Sequence, residues 1–243
     1  MTRVGTALGS HARAEWSSDA AGVSVPSSGY VMALPKGRLG ASLVKRLTGT
    51  TLAPLENKDN PRALTFPTGD ARVSAVWLKG RDLLRYVASG AATFGVVGSD
   101  AIGESEDDVL ELEDLGFGRC ILCLAAPLGI TMADLEATPH LRLATKFSRA
   151  TAKWLDARGL TAELVPIESS VEIAPRLGLA HAVVDLVQSG DTLRDNDLAV
   201  LAEVSPVSAR LVMNRGAYLT DRETLRELQA TMREACTRDL YDR

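Results

Sequence analysis

The segment His181-Ala182-Val183-Val184-Asp185-Leu186-Val187-Gln188-Ser189-Gly190-Asp191-Thr192-Leu193 places an acid near the end of an apolar run, then a tight Ser-Gly-Asp-Thr turn. Such a turn offers backbone N–H groups and two hydroxyls to phosphate oxygens. Asp185 is placed to accept hydrogen bonds from sugar hydroxyls. The same residues also read as an ordinary strand exit, because Ser-Gly-x-Thr loops are common. A second candidate is Pro35-Lys36-Gly37-Arg38-Leu39. Lys36 is a mobile point charge, Arg38 a planar fork matched to phosphate oxygens, and Gly37 permits close approach. Its alternative is a solvated turn with incidental charge. Arg62, in Asn60-Pro61-Arg62, and Arg81 and Arg85 each read alone as surface arginines. Lys146, after Ala144-Thr145, sits at another strand end and is equally open.

Little equips the chain for proton transfer or nucleophilic attack. His11 lies near the amino terminus, His140 follows a proline, and His181 starts a buried strand with a structural role. No G-x-S-x-G elbow, H-E-x-x-H or P-loop occurs. Cys120 and Cys123 have C-x-x-C spacing but sit in Cys-Ile-Leu-Cys-Leu-Ala-Ala, which reads as a buried strand of core thiols. No second pair completes a zinc site. Cation-lined, glycine-permitted turns and a carboxylate are equipment for handling polyphosphates by positioning and charge neutralisation.

The composition is that of a soluble globular chain: 243 residues, 46% hydrophobic and 24% charged. A net charge of -4 and only 5% aromatic residues argue against a nucleic-acid partner. The three cysteines and the absence of a signal peptide suit a reducing cytoplasm. No 18-residue apolar run suggests a membrane span. Residues 1–29, rich in Gly, Ala and Ser, read as a disordered extension.

The two turns need strands and helices to hold them. Strands are expected over Val31–Leu34, Arg72–Leu78, Thr93–Gly98, Cys120–Ala126, Arg142–Thr145, Ala162–Ile167, Ala182–Val187 and Ala209–Asn214. Helices are expected over Leu39–Leu47, Asp82–Ser89, Ala150–Arg158 and, carrying Pro175, Val171–Leu177. The alternation argues an α/β protein with mainly parallel sheets. Thr220-Asp221-Arg222-Glu223 has capping-box spacing, and Leu225, Leu228, Met232 and Ala235 give the final helix an apolar face for the core. Both candidate turns leave the carboxyl ends of strands, where open α/β sheets bind ligands.

Together the segments resemble the short form of ATP phosphoribosyltransferase, the first enzyme of histidine biosynthesis. The resemblance rests on Ala33-Leu34-Pro35-Lys36-Gly37-Arg38-Leu39, on Gly90-Ala91-Ala92 with Gly95-Val96-Val97-Gly98-Ser99-Asp100, and on Asp114-Leu115-Gly116-Phe117-Gly118. It continues through Ala144-Thr145-Lys146-Phe147, Ser170-Val171-Glu172-Ile173-Ala174-Pro175 and Asp185 to Leu193, in the family's order over about residues 30–215. It implies two α/β lobes around a cleft, like type II periplasmic binding proteins. Lobe I would comprise 30–118 plus about 200–243, and lobe II, with the binding loop for phosphoribosyl pyrophosphate (PRPP), 119–199. The implied reaction is attack of ATP N1 on C1 of PRPP, releasing pyrophosphate. Magnesium would be bound mainly through substrate phosphates; a protein ligand for it is not identified. By the same resemblance, Arg38, Arg62 and Lys36 serve catalysis. Asp185, Ser189, Gly190, Asp191 and Thr192 bind PRPP, and Gly37, Leu39, Lys146 and Glu172 bind ATP or the other substrate. A homodimer and a regulatory subunit similar to histidyl-tRNA synthetase are implied partners.

Several residues depart from the family pattern. His181 and Thr93 stand where the family usually has Asp, and Asp191 puts a negative charge inside a phosphate loop. These departures keep two alternatives open: a diverged phosphoribosyltransferase acting on another nitrogen heterocycle, and a non-catalytic ligand-binding homologue.

Overall fold

The computed structural model describes residues 29–55 and 64–238. Arg62 and nearly all of the 1–29 segment lie outside the described residues. In chain order come β1 (Tyr30–Pro35), α1 (Arg38–Leu47), β2 (Thr65–Pro67), β3 (Val73–Leu78), α2 (Gly80–Ala88), β4 (Phe94–Gly98), α3 (Ser99–Glu104) and β5 (Leu110–Asp114). Then follow β6 (Cys120–Pro127), α4 (Met132–Ala137), β7 (Arg142–Thr145), α5 (Ser148–Asp156), β8 (Glu163–Pro166), a 3-10 turn (Val171–Ile173), β9 (Ala182–Val187), α6 (Asp191–Asp195) and β10 (Leu198–Val207). The chain closes with β11 (Ala209–Met213), α7 (Arg215–Thr220) and α8 (Arg222–Thr237).

The strands form two sheets, ordered β2-β3-β1-β4-β11-β5 and β10-β6-β9-β7-β8. Each, with its helices, is one α/β lobe. The expectation of mainly parallel sheets is corrected. Only β1–β3, β1–β4, β7–β8 and β7–β9 pair in parallel, while β2–β3, β4–β11, β5–β11, β6–β9 and β6–β10 are antiparallel. The antiparallel members include the elements with the weakest patterns. β2 has three residues, β5 alternates Leu with acids, and β10 holds Pro206 and two bulges at the sheet edge. Because β10 stays antiparallel to β6 for its whole length, the chain leaves the second sheet at Val207 rather than near residue 200.

Two connections join the lobes, and they bond to each other. Leu115 N–H donates to Ala209 O at 2.9 Å, and Ala209 N–H donates to Phe117 O at 3.0 Å. The Ser208 hydroxyl donates to Asp114 at 3.0 Å.

In the first lobe, Leu225, Leu228, Met232 and Ala235 of α8 share one core with Met32, Leu34, Leu43 and Leu47, so the final helix covers the protein's own interior. Its cap is displaced by one residue from the expected box. Asp221 accepts the Thr224 N–H at 3.3 Å, while the Thr220 hydroxyl turns back to Gly216 and Ala217 carbonyls and closes α7. The helix expected over Val171–Leu177 is only a 3-10 turn. Pro175 has no N–H for the Val171 carbonyl, which accepts from Ala174 instead at 3.1 Å.

Candidate active site between the lobes

A cleft of about 520 Å³ lies between the lobes. Lys36, Arg38, Leu39 and Asp100 line it from the first lobe, Arg119 from the connection between β5 and β6, and Cys120 and Gln188 from the second. The Lys36 N–H donates to the Leu78 carbonyl at 2.8 Å, which fixes where β1 ends. Gly37 then turns the chain with φ 86 and ψ -157, a region closed to side-chain-bearing residues, and α1 begins at Arg38. Lys36, Gly37 and Arg38 are all exposed.

On the opposite lobe, β7 and β9 run parallel with Thr145 beside Val184. That register sets the next residues, Lys146 and Asp185, side by side, with Nζ 3.4 Å from Oδ1. The Thr145 hydroxyl locks the arrangement. It donates to Val184 O at 2.8 Å and accepts the Phe147 N–H at 2.9 Å. Asp185 also accepts the Leu186 N–H at 2.8 Å, and the Lys146 ammonium lies 4.9 Å from the Phe147 ring centre.

Beyond β9 the chain turns at Gly190, with φ 78, into α6. The Ser189 hydroxyl donates to Asp191, and Arg194 bonds both the Asp191 carboxylate and, at 3.2 Å, the Ser189 carbonyl. The Ser189 hydrogen bond, then Arg194, hold the Asp191 carboxyl below its ordinary value. Asp191 thus faces along its own loop, and Thr192 stays exposed. Glu172 is half-buried on the 3-10 turn, directly after Ser170, which holds a left-handed φ of 53.

Burial pushes the Cys120 thiol upward, and the charges of Asp100, Arg38, Asp185 and Lys146 all act on it. Cys120 is therefore a protonated wall of the cleft rather than a core residue. Cys123 lies an odd number of residues along β6, faces the other way and is buried. The C-x-x-C pair cannot converge on one ion. Among the described residues no cluster of three or more His, Cys, Asp or Glu is arranged to hold a metal.

Asp100, Arg119 and Gln188 were not singled out as site residues in the sequence. Asp100 had a usable signal, since it follows the carboxyl end of an apolar strand as Lys36 and Lys146 do. Burial raises its carboxyl above the ordinary value. Arg81, read as a surface residue, is exposed and also crosses to the second lobe, where it bonds the Lys146 carbonyl and lies 3.7 Å from Glu168. Two family departures are acceptors for backbone. His181 Nδ1 accepts the Arg142 N–H at 2.9 Å, and Thr93 Oγ1 accepts the Val31 N–H at 3.0 Å. Each does for the backbone what an Asp oxygen would do.

A family model described as HisG: ATP phosphoribosyltransferase matches residues 79–234. The ATP phosphoribosyltransferase of Sorangium cellulosum (strain So ce56) is 40% identical over 206 residues, covering 84% of this chain and 94% of that protein. A solved structure, the ATP phosphoribosyl transferase (HisG:HisZ) complex from Thermotoga maritima, superposes with a TM-score of 0.71 at 26% identity, over 85% of this chain and 98% of that one. The periplasmic aliphatic sulphonate binding protein SsuA from Escherichia coli superposes at TM-score 0.55 and 16% identity, over 86% of this chain and 69% of that one. That second likeness shows the fold alone, two α/β lobes about a cleft.

Proposed function

The chain belongs to the ATP phosphoribosyltransferase family, and from that premise we propose that its cleft transfers phosphoribosyl from PRPP to N1 of ATP, releasing pyrophosphate. One observation carries the reading for this chain's own residues. The cleft is lined by Lys36 and Arg38 from one lobe and by Leu186 and Gln188, which flank the candidate phosphate loop, from the other, and the charges of Arg38 and Asp185 both act on Cys120 in its wall.

The roles follow from charge. The Ser189–Thr192 loop holds the 5′-phosphate through its hydroxyls and the N–H groups of the α6 start. Asp185, oriented by Lys146, accepts from the ribose hydroxyls. As the C1–pyrophosphate bond breaks, negative charge builds on the leaving group, and Arg38, Lys36 and Arg62 neutralise it. One such contact is worth about 3 kcal/mol, roughly a hundredfold in rate. Gly37, Leu39 and Glu172 border the acceptor. In the loop, Asp191 is already bonded to Ser189 and Arg194, so its charge is turned from the phosphate.

The described donors suit a magnesium ion that keeps most of its ligands from substrate and water. Asp100 and Asp185 offer single carboxylates, and no protein cage surrounds them. Such an ion supplies charge neutralisation at pyrophosphate. Among the described residues no helix is long and apolar enough to cross a membrane. The likeness to the HisG:HisZ complex supports a HisZ-like regulatory partner; we propose that this partner is similar to histidyl-tRNA synthetase and that the chain works as a homodimer.

The test is to mix the purified chain with PRPP, ATP, magnesium and pyrophosphatase, with and without such a subunit, and follow the absorbance band of phosphoribosyl-ATP. Product establishes the reaction. PRPP binding without product in either mixture would overturn ATP as the acceptor.

A further inference from the structure

We propose that Glu104 is a positioning residue of this reaction: from the first lobe it holds the β7–α5 turn that presents Lys146 to Asp185 in the second. The proposal rests on the transferase reading and deepens it.

Helix α5 lacks means of its own to satisfy its first N–H groups. Its N-cap is Phe147, buried and without an acceptor, and its first turn contains no acid. The acceptors come from across the molecule. Glu104, at the end of α3, takes the Arg149 N–H at 3.0 Å on one carboxylate oxygen and the Ala150 N–H at 2.8 Å on the other. An anion at a helix start is favoured by the helix dipole, and charge-assisted bonds are the stronger kind. Arg81, from α2, holds the Lys146 carbonyl of the same turn, and Arg149 reaches Glu106 at 2.9 Å.

The first lobe therefore grips residues 146–150 at both polar ends, an anion on the donors and a cation on an acceptor. The Lys146 side chain leaves from this segment, and its backbone runs straight into the Thr145–Val184 lock described above. A second polar crevice, lined by Arg81, Glu104, Glu106 and Arg149, admits water to the clasp. When the lobes part for substrate entry, the N–H groups at 149 and 150 pass to that water. When they close, Glu104 takes them back and seats Lys146 against Asp185. Closure of the cleft and placement of the ammonium are then one event.

The test uses the full chain, with the regulatory subunit if the wild type needs it, and two variants. Glu104→Ala removes both acceptors, and Glu104→Gln keeps the shape and one acceptor should the first fail to fold. Glu104→Ala is expected to raise the PRPP KM about tenfold, equivalent to ~1.4 kcal/mol, with a smaller rise for Glu104→Gln. In a Lys146→Ala background the same change should add less than about twofold, because Glu104 acts through Lys146. Hydrogen exchange at the Arg149 and Ala150 amides should slow on adding PRPP to the wild type and not to Glu104→Ala. Wild-type kinetics in both variants, equal exchange, or losses that multiply fully with Lys146→Ala would overturn the proposal. A wild-type chain that forms no product speaks against the transferase reading instead, while the exchange measurement still reports on the clasp.

Discussion

Lys146 Nζ stands 3.4 Å from Asp185 Oδ1 because Thr145 and Val184 are register partners on parallel strands. The pair sits one residue beyond the last β7–β9 partners, while Asp185 is still held by β6 opposite Cys123 and the Lys146 carbonyl is bonded by Arg81. Asp185→Asn should raise the PRPP KM at least tenfold, the size of one hydrogen bond to a charged group, about 1.5–3 kcal/mol. Steady-state kinetics with PRPP varied at saturating ATP measure this. An unchanged KM would remove Asp185 from the ribose site.

Arg38 acts on charge that appears only as pyrophosphate departs. Its loss should therefore lower kcat, by about a hundredfold in Arg38→Ala, and leave the ATP KM within a fewfold. Arg38→Lys restores charge without the planar fork and should recover only part of the rate. Arg62→Ala is expected to behave alike. Near-wild-type turnover in both alanine variants would sink the leaving-group assignment.

Asp191 occupies the Ser189 hydroxyl and the Arg194 guanidinium, two groups a phosphate would also use. Asp191→Asn should lower the PRPP KM about threefold, and Arg194→Ala should raise it. Both effects should shrink as salt is added, since the loop is exposed. A weaker-binding Asp191→Asn enzyme would mean that the carboxylate serves the substrate directly.

Met232 of α8 is fully buried in the first lobe's core. Met232→Ala should cost about 2–5 kcal/mol of stability by leaving a cavity. Denaturant unfolding monitored by circular dichroism reads this, and a loss below about 1 kcal/mol would mean that the helix is loosely attached.

Several carboxylates are held low by their partners: Asp70 first by its hydrogen bond to Arg72, Asp108 by Arg215, and Asp221 by the Tyr30 hydroxyl. Their folded pKa values lie below the ordinary 3.8, so the unfolded chain binds more protons over this range. The stabilisation they give is complete above that value and is lost as pH falls through the lowered folded values. Asp100, raised by burial, works in the opposite sense and softens the fall. The melting temperature should drop steeply below about pH 4, and Asp108→Asn should flatten part of that drop.

What the sequence made legible was position relative to strand ends. Lys36, Lys146, Asp185 and the Ser189–Thr192 turn stand out because they lie where apolar runs end. Asp100 obeyed the same rule, two residues beyond the expected strand Thr93–Gly98. Arg81 and Glu104 were beyond reach, because their partners are backbone groups of another lobe, and a backbone N–H leaves no trace in residue type. The strand β5 was hidden for a related reason. Its acids find their partners only when Arg210, at 3.1 Å from Glu111, and Arg233, bonded to Glu113, arrive from distant parts of the chain.

The sheet order β4-β11-β5 sets the sequence of events as the chain leaves the ribosome. The second sheet is one uninterrupted stretch, Cys120 to Val207, and has all its strands as soon as β10 emerges. The first cannot be finished then, since β11 must still slide between β4 and β5, and α8 must still cover its core. The inserted lobe can thus be complete while its host is open, the reverse of the usual amino-terminal-first order. Until Ala209 appears, β5 has no neighbour on the β4 side, and its run of carboxylates keeps that waiting edge soluble.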